Sequence, residues 1–127
     1  MREIKFRAWH VDKEILVEVL EINYKGKYVR LPIEPELSDK YWWYETNWDF
    51  DEVELLQFTG LKDNNGVDIY EGDIVKAHGE YGDILIGEIS YRNGCFMLRE
   101  HTLDKIYNAE VVGNIYENSE LIKEVTE

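Results

Sequence analysis

The sequence predicts a mainly β protein whose C-terminal half forms a small antiparallel barrel. Short apolar stretches recur at close spacing with turn-forming residues between them, and little helical periodicity separates them. The chain is also rich in aromatic residues, with 4 Trp, 9 Tyr and 4 Phe, and aromatic and β-branched residues favour strands. Its 127 residues are enough for one domain with a modest core, or for a domain with a substantial extension.

The first part of the chain predicts a β-rich segment. Residues 4–9 alternate between two faces, which is the period of a strand with one buried side. A mostly apolar run at 15–22 is followed by the turn Lys25-Gly26-Lys27 and by a further run at 28–31, an order typical of a hairpin. The residues of the predicted buried face in the first strand are Ile4, Phe6 and Ala8.

Residues 36–52 follow no pattern that decides between helix and strand, although Ser38 belongs to a residue type that caps helices. This stretch places large aromatic side chains among carboxylates. Aromatic clusters usually form core, but Tyr and Trp are also enriched at binding hot spots, so core and interface both stay open. The candidate interface residues are Tyr41, Trp42, Trp43, Tyr44, Trp48 and Phe50.

The second half predicts a series of strands joined by tight turns. Asn65-Gly66 suits a turn with positive φ, Gly72 precedes a strand, and Asn93-Gly94 between apolar runs indicates a hairpin. Residues 67–118 supply about five short strands, the size of an SH3-like barrel. The predicted strands are 53–59, 73–75, 84–91, 95–99 and 110–116, with a short helical turn at 119–124.

These elements divide the chain into two predicted regions. Residues 1–59 form an N-terminal β-rich segment that includes the aromatic and acidic connection. Residues 60–127 form the SH3-like β-barrel.

The net charge of −13 is unevenly distributed. Residues 1–30 carry seven basic and five acidic residues, whereas residues 34–54 carry eight acidic residues and one lysine. A strongly acidic chain repels phosphate backbones, so direct nucleic-acid binding is disfavoured. Solubility explains the acidity most simply; the alternatives are a docking surface for a basic partner and mimicry of DNA.

The single cysteine, Cys95, excludes a disulfide within the chain and fits a reducing compartment. The first residues lack the apolar run of a signal peptide, and no stretch approaches the roughly 18 apolar residues of a membrane span. We therefore expect a complete, cytoplasmic protein with no membrane association. Cys95 itself is expected to be a small core residue.

Two acidic motifs invite a chemical interpretation. The run from Asp63 to Asp68 resembles a calcium loop, but an EF-hand needs glycine at its sixth position and glutamate at its twelfth, so a β-turn is the prediction. Glu71, Asp73 and Asp68 form a carboxylate cluster with no nucleophile or metal partner in view, and short polar residues in a turn satisfy backbone groups.

The three histidines, His10, His78 and His101, show no ligand spacing. Phosphate-loop and nucleophile-elbow motifs are also missing from the sequence. The sequence therefore predicts no catalytic residue, no cofactor and no metal ligand, and a protein that is not an enzyme.

Three blocks in order resemble the YopX-like family of phage and prophage proteins. The first is Met1–Trp9, the second runs from Gln57 to Asp63 and continues through Asn65-Gly66 to Ile69–Val75, and the third is Gly113–Asn118 with Leu121 after it. The resemblance implies a phage or prophage origin and an SH3-like barrel in the C-terminal half. It implies no activity.

The leading functional hypothesis is a small accessory protein that acts as a non-catalytic protein-binding or assembly module. We expect it to form a homo-oligomer through residues 41–50, opposite the basic residues Arg2, Lys5 and Arg7 of a neighbouring copy, and a phage or host protein is a further possible partner. The alternative is a nucleic-acid-related role, either binding or acidic DNA mimicry. An enzyme is the third class.

Overall fold

The computed structural model describes residues 2–33 and 35–121, and it confirms a mainly β protein. The chain divides into two compact units: an N-terminal unit, Lys5–Leu56, and a C-terminal unit, Met1–Ile4 with Gln57–Glu127. This division and the one predicted after residue 59 both fall within a single strand at 53–62. None of the helices among the described residues has the length and apolar character needed to cross a membrane.

The N-terminal unit contains two small antiparallel arrangements of strands. In one, β1 pairs with β2 and lies beside β6; in the other, β4 lies between β3 and β5. Its elements are β1 (Phe6–His10), β2 (Ile15–Glu18), β3 (Glu21–Asn23), β4 (Tyr28–Arg30), α1 (Pro35–Lys40), β5 (Asn47–Asp49), a 3-10 turn (Phe50–Glu52) and the start of β6 (Val53–Lys62).

The apolar run at 15–22, predicted as one strand, is two strands in different sheets. The Val19 N–H donates to the Phe6 carbonyl at 2.9 Å, whereas the Leu20 N–H donates to the Arg30 carbonyl at 2.9 Å. Adjacent residues thus pair with different strands, which breaks the run at that point. The predicted hairpin at the following turn is confirmed, with β3 antiparallel to β4.

The core of the N-terminal unit is apolar and includes one tryptophan. Its buried members are Ala8, Ile15, Val17, Val29, Leu31 and Trp48. The predicted face of the first strand is correct at Ala8 but not at Ile4, which is 60% exposed. Trp9 and His10 are also buried, and the His10 ring packs against Trp48 inside the unit.

The C-terminal unit is built on a five-stranded antiparallel sheet with the order β11-β10-β9-β8-β12. This strand number is consistent with an SH3-like barrel. The remainder of β6 pairs with β7 in the same unit. The strands are β7 (Asp68–Tyr70), β8 (Asp73–His78), β9 (Ile84–Arg92), β10 (Cys95–Leu98), β11 (His101–Thr102) and β12 (Tyr107–Asn114), with a 3-10 turn at Leu103–Lys105.

Turn chemistry sets the register of this sheet. Asn93 and Gly94 have φ values of 53° and 79°, as the predicted hairpin requires, and β9 pairs with β10 from Arg92 opposite Cys95 onward. Gly66 and Gly72 also have positive φ, as predicted. Cys95 is exposed rather than buried, because it directly follows the turn at the end of the sheet, so its predicted core position is wrong.

The last strand, β12, begins and ends earlier than predicted. It stops at Asn114, whose Oδ1 accepts hydrogen bonds from the N–H groups of Tyr116 and Glu117 at 3.0 and 2.8 Å. These bonds turn the chain and remove residues 115 and 116 from the sheet. Part of the helical turn predicted at 119–124, residues 122–124, lies outside the described residues.

We expect Gly94→Val to destabilise the protein through its backbone alone. A β-carbon at Gly94 would meet no atom within 4 Å, so the cost is that of a left-handed conformation, about 1–2 kcal/mol. Denaturant unfolding measures it. Gly94→Asn is the matched control and should lose less, since asparagine tolerates this region. Equal stability of both variants and the native protein would contradict the turn assignment.

Candidate binding surface

The aromatic–acidic segment, which we define as residues 41–50, follows directly after helix α1. The helix begins at Pro35, a favoured first helical residue, so Ser38 lies inside it and is not its cap. The Tyr41 N–H donates to the Leu37 carbonyl at 2.8 Å, and the Tyr44 N–H donates to the Tyr41 carbonyl at 3.0 Å. The chain therefore leaves the helix through a tight turn, and successive aromatic side chains point in different directions.

Most of the predicted interface residues face the core of their own unit. Trp48 is only 2% exposed and belongs to the core itself. The partly buried rings of the other four pack against that core, and the Tyr44 hydroxyl donates to the Pro32 carbonyl at 2.9 Å. The four are Tyr41, Trp43, Tyr44 and Phe50. The core interpretation therefore fits these five residues, whereas the interface interpretation stays a prediction.

Trp42 is the aromatic residue of the segment that faces solvent, with 93% of its surface exposed. A tryptophan ring offers about 150–250 Å² for burial, and removal of that area from water stabilises a contact by several kcal/mol at about 25 cal/mol per Å². The basic residues expected to face the aromatic–acidic segment from a neighbouring copy differ in solvent exposure. Arg2 is exposed, whereas Lys5 and Arg7 are half-buried.

His10 is the centre of a hydrogen-bond network next to this segment. The Lys13 N–H donates to His10 Nδ1 at 3.1 Å, so the proton of the neutral ring is on Nε2, which lies 3.2 Å from Glu52 Oε2. The ring also meets the edge of Trp48, with centroids 5.0 Å apart. Both ring nitrogens are occupied, so His10 positions Glu52 and the Lys13 backbone rather than offering a free base.

A cleft of about 190 Å³ opens above this network. The ammonium group of Lys13 lies 5.0 Å from the centroid of the Trp43 ring, a cation–π contact. The residues that line the cleft are His10, Lys13, Trp43, Glu45, Trp48 and Glu52. The sequence prediction named the two tryptophans but not Lys13, Glu45 or Glu52; only the acidity of residues 34–54 pointed toward the two carboxylates.

One acidic group could present oxygens to a metal ion. Among the residues that the structure describes, carboxylate oxygens of Asp49, Asp51 and Glu52 lie within 4.8 Å of one another. Glu52 is already engaged, because its Oε1 accepts from the Asp49 N–H at 3.2 Å and its Oε2 contacts His10. Glu52 is the one member of this acidic group that also lines the cleft.

Asp63 holds a turn and a distant strand together, as the β-turn interpretation requires. Its Oδ1 accepts from the N–H groups of Asn65 and Val67 at 2.8 and 2.9 Å, and its Oδ2 accepts from Val111 at 2.9 Å. Burial alone raises the pKa of this carboxyl, but the three N–H donors outweigh it and hold the pKa below its ordinary value of 3.8. Both oxygens are thus committed to the backbone.

The three carboxylates of the cluster that the sequence brought together also have structural partners. Asp73 Oδ2 accepts from the Tyr70 N–H at 2.8 Å, and Glu71 Oε1 accepts from the Gln57 N–H at 3.1 Å. Asp68 Oδ1 lies 2.6 Å from Lys62 Nζ. As the sequence predicted, the turn around Gly72 uses its polar residues to satisfy backbone groups.

A family model described as YopX protein matches residues 5–123. The chain belongs to the YopX family. This confirms the resemblance, and two solved structures agree with it. Protein EF1440 from Enterococcus faecalis is 27% identical over 96% of this chain and 99% of its own, with a TM-score of 0.64. Protein yopX from Bacillus subtilis is 19% identical over 95% and 98%, with a TM-score of 0.57, and shows the fold. No curated protein matches this YopX-family chain.

Truncation of the tryptophans at positions 42 and 48 is predicted to change the free energy of unfolding by very different amounts. Trp48→Ala should lower the free energy of unfolding by about 3–5 kcal/mol, because it empties the core. Trp42→Ala should change it by less than about 0.5 kcal/mol, as for an exposed side chain. Urea unfolding at submicromolar protein concentration measures both. Similar losses for the two variants would contradict the assigned burial.

Proposed function

We propose that this YopX-family protein is a non-catalytic assembly module that binds a second copy of itself through a surface centred on Trp42. Its family resemblance supports an accessory role for a phage or prophage. The single observation that carries the proposal is the 93% exposure of Trp42, in a segment whose other aromatic rings pack against their own core. Tryptophan is among the residue types that are enriched at binding hot spots.

The charges around Trp42 favour a second copy as the occupant. Lys40 Nζ lies 5.3 Å from the Tyr41 ring centroid, and Asp39, three residues before Trp42, is exposed. An isologous contact places the same patch on both partners. A patch that carries both signs can therefore pair each lysine with a carboxylate of the other copy, despite the net charge of −13.

The non-catalytic part of the proposal is supported by what the polar groups already do. His10, Asp63, Glu71 and Asp73 each use their side-chain atoms to hold backbone or neighbouring side chains. Recruitment of any of them for acid–base chemistry would break a structural hydrogen bond.

We expect the native protein to associate at micromolar concentration and Trp42→Ala to weaken the association at least about tenfold, because a central tryptophan is a typical hot spot. Sedimentation velocity across a concentration series measures the constant. Tyr81→Ala is the matched control, since Tyr81 is 92% exposed but lies in the C-terminal unit; it should leave the constant unchanged. A native protein that stays monomeric, or equal losses in both variants, would contradict the proposal.

The structural role of Asp63 gives a test that is separate from assembly. Asp63→Asn places an amide N–H against the Val111 N–H, so we expect a loss of about 1–3 kcal/mol in the free energy of unfolding. The pKa of Asp63 is lower in the folded protein than in the unfolded chain, so the stability that its carboxylate adds is fully present above about pH 4. This contribution declines as the pH falls through the pKa of the folded protein. Urea unfolding between neutral and acidic pH should show the two proteins converge at low pH. A constant difference would contradict the lowered pKa.

A further inference from the structure

We infer that the cleft lined by Lys13, Trp43, Glu45 and Glu52 binds the cationic side chain of a lysine or arginine on a partner protein, and that Lys13 is the internal occupant which this side chain displaces. The inference does not depend on self-association, because the cleft forms within one N-terminal unit and does not include Trp42.

The Trp43 ring already accepts a cation. Lys13 Nζ lies 5.0 Å from its centroid, and tryptophan is the ring type that attracts cations most strongly. The ring is also held in place, since its centroid lies 5.1 Å from that of Tyr41 and 6.3 Å from that of His10. A ligand therefore meets a surface that does not have to be ordered on binding.

The carboxylates of the cleft add charge that the aromatic ring alone does not provide. The Glu52 side chain is 43% exposed, yet His10 Nε2 and the Asp49 N–H fix both of its oxygens. Glu45 is exposed on the same cleft. His10 Nδ1 accepts from the Lys13 N–H, so in this geometry that nitrogen carries no proton. The cleft lining includes two carboxylates and one ammonium group, which leaves an excess of negative charge for a further cation.

The dimensions of the cleft suit a side chain rather than a larger ligand. Its volume is about 190 Å³, and a cavity of about 150 Å³ is enough to hold benzene. The butylammonium portion of a lysine and the propylguanidinium portion of an arginine are both of this size class. The cation lies over the face of the Trp43 ring, and the carboxylates accept hydrogen bonds from its N–H groups.

Lys13 can leave without disturbing the cleft. Its backbone N–H is tied to His10, but its side chain is exposed and reaches Trp43 through a flexible four-carbon stem. An incoming cation therefore replaces one ammonium group with another, while the ring and the carboxylates stay where they are. Lys13 thereby competes with a single partner cation and weakens its binding. It selects for partners whose cation belongs to a larger contact surface.

The test is a proton–nitrogen NMR titration that follows the indole N–H of Trp43, assigned with Trp43→Phe. The probes are acetyl-Gly-Lys-Gly-amide, the same peptide with arginine, and the uncharged isostere with norleucine. We expect Lys13→Gln to bind the lysine and arginine peptides about threefold to tenfold more tightly than the native protein does, because the competing ammonium is gone. The norleucine peptide should give no saturable shift.

Two further variants separate the cleft from the rest of the surface. In the Lys13→Gln background, Glu45→Gln alters an exposed residue and should weaken lysine-peptide binding several-fold without affecting folding. Trp42→Ala leaves the cleft intact and should bind the peptide as before, even where it abolishes self-association. Binding of norleucine as strong as that of lysine, shifts at Trp42 instead of Trp43, or equal affinity of the native and Lys13→Gln proteins would overturn the inference.

Discussion

The buried indole of Trp48 is the point on which the N-terminal unit depends. It lies on β5 directly opposite Val29 of β4, and the rings of Tyr44 and His10 meet it edge to face at 6.2 and 5.0 Å. Through His10 it fixes Glu52 and the backbone of Lys13. The position of the cleft therefore follows from core packing, and a large side chain at this position is needed before the polar groups around it can be aligned.

Sequence reasoning succeeded where a few adjacent residues determine the backbone. Asn93 and Gly94 fix a hairpin because two consecutive residues with positive φ leave few other turns. At Gly72 the glycine alone has positive φ, and its position directly before a strand indicated the turn. Sequence reasoning failed where a distant partner decides. Nothing in the run at 15–22 marks the change of partner between Val19 and Leu20, since both halves are equally apolar.

The residue types of the candidate site could be predicted from the sequence, but the direction in which each side chain points could not. Six aromatic residues within ten positions indicated either core or interface, and the choice at each residue depends on which way the turn after α1 points the side chain. Trp42 and Trp43 are neighbours in sequence, yet one is exposed and the other packs against the core. The bond between His10 and Glu52 joins residues 42 positions apart, so only the folded chain brings the cleft together.

The exposure of Cys95 has a practical chemical consequence. It is the single thiol of the chain and lies at the solvent-facing end of β10, so air oxidation can link two molecules covalently through the C-terminal unit. Such a disulfide-linked species has the mass of a dimer but joins the chains far in sequence from Trp42. A reducing agent therefore removes the disulfide-linked dimer from a test of the proposed contact at Trp42. The same thiol provides a unique attachment point for a spectroscopic label.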